Sequence, residues 1–177
     1  MNKLLSSSLL SILLMTQPSL LKATESDSDE VSVFNTAEEH FASGVRFSRG
    51  EGDDPVDYTK AKSAFDEALK IGLPPKEEVA SYQMLAEMNF QGQGMVEPDF
   101  SEARLYFNKA LEVEGSPAES TALTQWFLGC MDLMGKGLVD STPNHGRGTA
   151  YIAMAYSSGR LPEDLAAQAL GFLKKIH

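Results

Sequence analysis

Apolar residues recur along this chain at helical spacing, in blocks that glycine closes. Between Ala80 and Gly115, the residues Tyr82, Met84, Leu85, Met88 and Phe90 predict one helix, ended by Gly92-Gln93-Gly94. After the loop Met95 to Asp99, Ala103, Tyr106, Phe107, Ala110 and Leu111 predict a second helix, ended by Gly115. The same block returns on either side. Gly50-x-Gly52, Gly92-x-Gly94 and Gly135-x-Gly137 lie 42 and 43 residues apart. Ala61, Phe65 and Ala68 become Ala103, Phe107 and Ala110 after 42 residues, then Gly148, Ile152 and Ala155 after 45. A period in this range marks an array of helical repeats. The pattern predicts an all-α chain built of three helix pairs.

Local signals place the ends of these helices. Thr36-Ala37-Glu38-Glu39 has capping-box spacing, so the first helix is expected to run from there to about Arg49, with Gly50 as its C-cap. A second helix is expected from about Asp57 to Ile71. The next pair is expected to begin near Pro75 or Lys76, with its second helix capped by Asp99. Ser116-Pro117-Ala118-Glu119 reads as the clearest cap of all, an N-cap serine followed by proline at N1 and a carboxylate three residues on. The helix after it carries Leu123, Trp126, Phe127, Leu128, Cys130, Met131, Leu133 and Met134, apolar nearly all round, as in an element covered on both sides. Its partner is expected over Gly146–Ser158. A last helix from Pro162 through Lys175 is expected to cover the open end. The units fall at about 36–72, 76–115 and 117–159, inside a domain spanning 35–176.

The N-terminus reads differently. Met1-Asn2-Lys3 precedes an apolar run from Leu4 to Met15, then Thr16-Gln17-Pro18 and a small residue at Ala23, the layout of a secretory signal peptide over residues 1–23. Residues 24–34 are acidic and without period, as expected of a disordered leader. The whole chain has a formal net charge of −10; removing residues 1–23 takes away Lys3 and Lys22 and no acid, leaving 13 basic against 25 acidic residues. Such a surface repels phosphate backbones, which disfavours nucleic acid as a partner. No stretch after the signal is apolar enough to insert in a membrane. Cys130 is the single cysteine, so no intramolecular disulfide forms, and stability rests on helix packing.

Phe41-x-Ser43-Gly44-x-x-Phe47-x-x-Gly50-x-Gly52, followed by an Ala-x-x-Ala-Phe-x-x-Ala helix, resembles the Sel-1-like repeat, a relative of the tetratricopeptide repeat. The third unit matches the leucine-glycine element as Leu128-Gly129 and the closing glycines as Gly135-Lys136-Gly137, whereas the second has Leu85-Ala86. The resemblance covers roughly residues 36 to 159. Two positions depart from the pattern: Asn89 and Asp132 replace the aromatic represented by Phe47, and Gly148 replaces the alanine of positions 61 and 103. The resemblance implies a right-handed α/α superhelix of three helix pairs plus a C-terminal capping helix. It also implies adaptor work, a non-enzymatic protein that holds other proteins or peptides in the secretory pathway. A eukaryotic member similar to this chain over Gly148 to Ser158 and Gly159 serves in the degradation of misfolded proteins of the endoplasmic reticulum. The expected location is therefore the reticulum lumen or the exterior. The alternative is a bacterial periplasmic or secreted protein that binds an envelope enzyme or a host protein.

Candidate chemistry adds little to this picture. Each Gly-x-Gly follows a helix, whereas a dinucleotide loop follows a strand and opens a helix. Cys130 lies in an apolar helix with no histidine near it in sequence, and His40, His145 and His177 have no metal-ligand spacing. No catalytic residue, cofactor or metal is expected. Function falls to the concave face formed by the first helices. Positions counted from the small residues Gly44, Ala86 and Gly129 predict that Phe41, Gln83, Glu87, Phe90, Trp126 and Leu133 share that face and bind protein, with Val45, Ser48 and Cys130 beside them; the alternative for Trp126 is a place in the core between the second and third units. The expected state is a monomer within a larger complex.

Overall fold

The structure, a computed structural model, describes residues 36–51 and 55–175. The signal peptide and the acidic leader predicted over residues 1–34, and His177 with them, lie outside the described residues. Seven α-helices and no strand are found among those described: α1 (Ala37–Arg49), α2 (Tyr58–Ile71), α3 (Pro75–Gln91), α4 (Phe100–Glu112), α5 (Ala118–Met134), α6 (His145–Ser157) and α7 (Glu163–Leu173). The fold is all-α. Helices adjacent in sequence pack as pairs, α1 on α2, α3 on α4 and α5 on α6. Neighbouring pairs touch through α2 and α3, α4 and α5, and directly through α1–α3 and α3–α5.

Capping chemistry decides most of the helix ends. Thr36 and Glu39 form the reciprocal box, each side chain taking the other's backbone N–H at 3.2 Å. The second helix of each pair starts on a side-chain acceptor at an equivalent position: Asp57, Asp99 and Asn144. The first helices end alike, on Gly50, Gly92 and Gly135, all left-handed with φ between 67° and 71°, a conformation glycine adopts at no steric cost.

The chain departs from the sequence-based expectation at several ends; α7, for one, runs from Glu163 only to Leu173, two residues short of Lys175. Ser116 is not the N-cap of α5. The cap is Pro117, whose carbonyl accepts from Thr121 N–H at 3.0 Å, while the Ser116 hydroxyl donates back to Val113 O at 2.7 Å. α4 stops at Glu112, three residues short of Gly115, because Val113 already takes an extended conformation that leads to the next pair. α6 begins one residue early, where Asn144 Oδ1 accepts from Arg147 N–H at 3.0 Å.

Inside a pair, a small residue on the first helix sits over a large one on the second. A Cβ at Gly44 would lie 2.7 Å from the Phe65 ring, and one at Gly129 would lie 2.7 Å from Ile152 Cγ1. Ala61, Ala103 and Gly148 are buried at equivalent places, as are Phe65, Phe107 and Ile152. Gly148 departs from alanine for a visible reason: its missing Cβ would come 2.9 Å from both Gly129 O and Leu133, so α5 and α6 approach too closely for a methyl group.

Each later pair also seats its loop on the pair before it. A Cβ at Gly94 would lie 3.0 Å from Tyr58 Cβ at the start of α2, and one at Gly137 would collide with the Phe100 carbonyl at the start of α4. Beside Gly137, Lys136 Nζ lies 4.1 Å above the Phe100 ring.

Phe107 ties these layers together, 2% exposed and stacked on Phe127 of α5 at 5.5 Å. Phe107→Ala removes that contact and opens a cavity, with an expected loss of about 3–5 kcal/mol. Thermal and denaturant melts measure it; an unchanged midpoint would contradict this packing.

Candidate functional site

The six residues expected to line a concave binding face do not share an open surface. Phe41, Gln83, Glu87, Trp126 and Leu133 are buried, and Phe90 is half-buried. Their contacts point in different directions. The Phe41 ring lies 5.8 Å from Phe65 and the Phe90 ring 5.3 Å from Phe100, each on the second helix of its own pair. Leu133 faces α6 at Gly148. Gln83 reaches forward to the next pair, its Nε2 donating to Ser120 O and Thr124 Oγ1, both at 2.8 Å. Glu87 accepts from Gln91 Nε2 at 2.7 Å one turn along its own helix. Trp126 is 1% exposed and belongs to the core. Equal counts along three helices do not make a shared open face here, because neighbouring helices cover these positions.

The densest charge cluster lies elsewhere, where the second pair meets the third. Asp132, near the end of α5, is fully buried. Its Oδ1 accepts from Arg104 Nη1 at 2.8 Å and from Arg147 Nη2 at 2.8 Å, and its Oδ2 accepts from Arg147 Nε at 2.6 Å. Arg104 comes from α4 of the preceding pair and Arg147 from α6 of the same pair. Two further donors of Arg104 go to Lys136 O, at 3.2 Å from Nε and 2.8 Å from Nη2. Burial lowers the Arg104 pKa from its ordinary value and the Asp132 carboxylate opposes that shift; for Arg147 the hydrogen bonds to Asp132 dominate and raise it.

The preceding seam repeats the arrangement in weaker form. Lys62 Nζ, on α2, donates to Asn89 Oδ1 on α3 at 3.4 Å, and Asn89 Nδ2 donates to Leu85 O at 2.7 Å. Asn89 and Asp132 are the two residues that break the aromatic pattern of the repeat. That break is the one sequence signal pointing to this cluster, since a polar residue on an apolar stripe needs a partner from a neighbouring helix. Both arginines hold Asp132, Arg104 also bonds Lys136 O, and the cluster works as a clamp between pairs.

Other titratable groups are dispersed. Burial pushes the Cys130 thiol up to about 12, so it carries no thiolate at neutral pH. His40 is half-buried and His145 exposed. Beside α2, a cleft of about 320 Å³ runs along Lys62, Asp66 and Lys70 to Met95 of the next pair. Burial raises the Asp66 pKa, and Tyr106 Oη donates to its Oδ1 at 3.4 Å. Among the described residues no group of three or more histidine, cysteine or acidic side chains could hold a metal ion, and no helix is long and apolar enough to cross a membrane. Comparison of the chain with protein-family models, with curated proteins and with solved structures gives no match.

Asp132→Ala strands two cations at the seam. The expected loss is about 3 kcal/mol, toward the low end for a broken buried pair because Arg147 keeps access to water. Asp132→Asn, which restores the carbonyl acceptor found at Asn89, should lose less. Denaturant titration of both variants checks the order. Asp66 gives a pH dependence of the opposite sense to an ordinary ion pair. Its folded pKa lies above the unfolded value, so its contribution is fully present below about pH 4 and is lost as pH rises through the folded pKa. Asp66→Asn should therefore match the wild type at low pH and exceed it in melting temperature at neutral pH.

Proposed function

We propose that this protein is a non-enzymatic, protein-binding adaptor of the Sel-1-like repeat type, a right-handed α/α superhelix of three helix pairs closed by a capping helix. Export by the N-terminal signal would deliver it to the secretory pathway, and the reticulum quality-control role rests on the sequence resemblance alone. The observation that carries the binding reading is the placement of three valines. Val96 and Val139 stand fully in solvent at 101% and 110% relative exposure, and Val56 is about half exposed at 47%. Each lies in the loop that joins the first helix of a pair to the second. Seating of Gly94 on the start of α2, and of Gly137 on the start of α4, brings successive loops to one edge of the stack.

These loops share a pattern, Gly92-x-Gly94-Met95-Val96-Glu97 and Gly135-x-Gly137-Leu138-Val139-Asp140. Met95 and Leu138 are half-buried, whereas the valine that follows each is fully exposed. Large apolar side chains exposed at repeated positions support a protein contact. The acid after each valine, in a chain of net charge −10, favours a partner whose apolar pockets are rimmed by basic residues.

Affinity capture from the protein's own compartment tests the reading. Val96→Asp with Val139→Asp should weaken capture of the partner by about tenfold or more while leaving the melting temperature unchanged, because neither side chain is packed. Full retention of every partner by the folded double variant would rule out the loop edge.

A further inference from the structure

We propose that the cleft beside α2 receives an arginine side chain of the partner that docks on the loop edge. The proposal rests on the loop-edge reading for its partner and adds the chemistry of one contact.

The cleft lies between two of the exposed valines. Tyr58, Lys62, Asp66 and Lys70 of α2 form one wall, and Gln93 and Met95 of the next pair form the other. Tyr58 follows Val56 by two residues, and Met95 directly precedes Val96. A protein laid along both valines therefore crosses the mouth of the cleft. The volume, about 320 Å³, is at the lower end for ligand pockets.

The groups that lack partners there are acceptors. Gln93 Oε1 is buried with no hydrogen-bond partner. Turning that amide toward a donor in the cleft gains a bond, and breaks only the one that Nε2 gives to Gln91 Oε1. Asp66 receives only the long bond from Tyr106 Oη, at 3.4 Å. Burial and the nearby Glu102 both oppose its charge. Neither lysine bonds it, since Lys62 Nζ donates to Asn89 and Lys70 Nζ to Glu67. An anion entering the cleft meets ammonium groups already engaged, whereas a cation meets acceptors that want donors.

The second seam shows what kind of group fits the place. Tyr58 and Phe100 each open the second helix of a pair, and Gln93 and Lys136 each stand between the two glycines of a loop. Lys136 lays its ammonium 4.1 Å above the Phe100 ring. At the first seam glutamine replaces that lysine, and among the described residues no cation stands over the Tyr58 ring. The acid is exchanged as well, with Asp66 in the place of Asn108. The first seam thus keeps the ring, gains a carboxylate and lacks a cation of its own. A guanidinium over Tyr58 makes the contact that Lys136 makes with Phe100 and offers donors to Gln93. Asp66 favours its positive charge from further along the same wall.

N-acetyl-L-arginine amide, which carries the side chain without backbone charges, is the probe. Titrated into the full chain purified from an exporting host, it should shift the NMR signals of the Gln93 side-chain amide and the Gly94 and Met95 backbone amides. Saturation is expected at about 1–10 mM, as suits one side chain acting alone. The norleucine and glutamate analogues should leave these signals in place. Gln93→Lys copies the second seam, fills the place over Tyr58 from within, and should weaken binding by about tenfold or more. Tyr58→Leu, which removes the ring, should do the same. Circular dichroism melts confirm that both variants are folded. In affinity capture, Gln93→Lys should weaken retention of the partner by about tenfold.

Equal shifts from the norleucine analogue would overturn the proposal in favour of an apolar groove, and shifts from the glutamate analogue in favour of an anion site. No shift with the arginine probe, or one that both variants leave unchanged, would overturn it outright. Undiminished capture by Gln93→Lys would take the partner's arginine out of the cleft. None of these results touches the loop edge, which fails only if capture survives Val96→Asp with Val139→Asp; the cleft would then keep its guanidinium chemistry and lose its partner.

Discussion

The structure depends on burying α3 and α5 on nearly all sides. Each lies against the second helix of its own pair and against helices of the pair before it, and α3 is covered by the pair after it as well. A helix in that position gains apolar burial on several faces. A side-chain polar group there costs free energy unless it finds a partner, and on these two helices only Gln83 Oε1 and Trp126 Nε1 are buried without one. The chain meets this demand locally where it can: Ser81 donates to Glu77 O, Thr124 to Ser120 O and Asn89 to Leu85 O, all within one turn. Where a local partner is insufficient, the polar group reaches across a seam, as Gln83 does to α5 and Asp132 to Arg104.

These crossings explain how pairs that are alike still stack in one register. Apolar contact alone tolerates sliding, whereas a cation on the second helix of one pair must find one particular acceptor on the next. Lys62 with Asn89 and Arg104 with Asp132 occupy equivalent places on successive seams, and the seated loops at Gly94 and Gly137 add a steric stop beside each. The second seam is the more strongly held. Its acceptor is a charged carboxylate and its donor a fork of fixed geometry that also takes the Lys136 carbonyl.

The same burial moves any partner-binding surface to the periphery. Trp126, the sole tryptophan, would be a prominent anchor if it were open, yet it is core. Large apolar side chains exposed to solvent are found instead on the loop edge, at Val56, Val96 and Val139, and on helix surfaces at Ile71, Leu105 and Met154.

The sequence by itself determined the all-helical class, the seven helices within a few residues, and the glycine and acidic caps, because these follow from 3.6-residue periodicity and from backbone groups that a neighbouring residue must satisfy. It also marked the small positions Gly44, Ala61, Ala103 and Gly129, since close helix approach demands them wherever they sit. It misplaced the Ser116 cap, because Ser116 and Pro117 offer competing starts and the path out of α4 chooses between them. It could flag Asn89 and Asp132 as irregular but could not name Lys62 and Arg104, which lie 27 and 28 residues earlier and meet them only after stacking. Nor could it tell an open face from a seam. Which side of a helix meets water depends on where the neighbouring pair comes to rest, and that is decided by tertiary packing, not by the periodicity of any one helix.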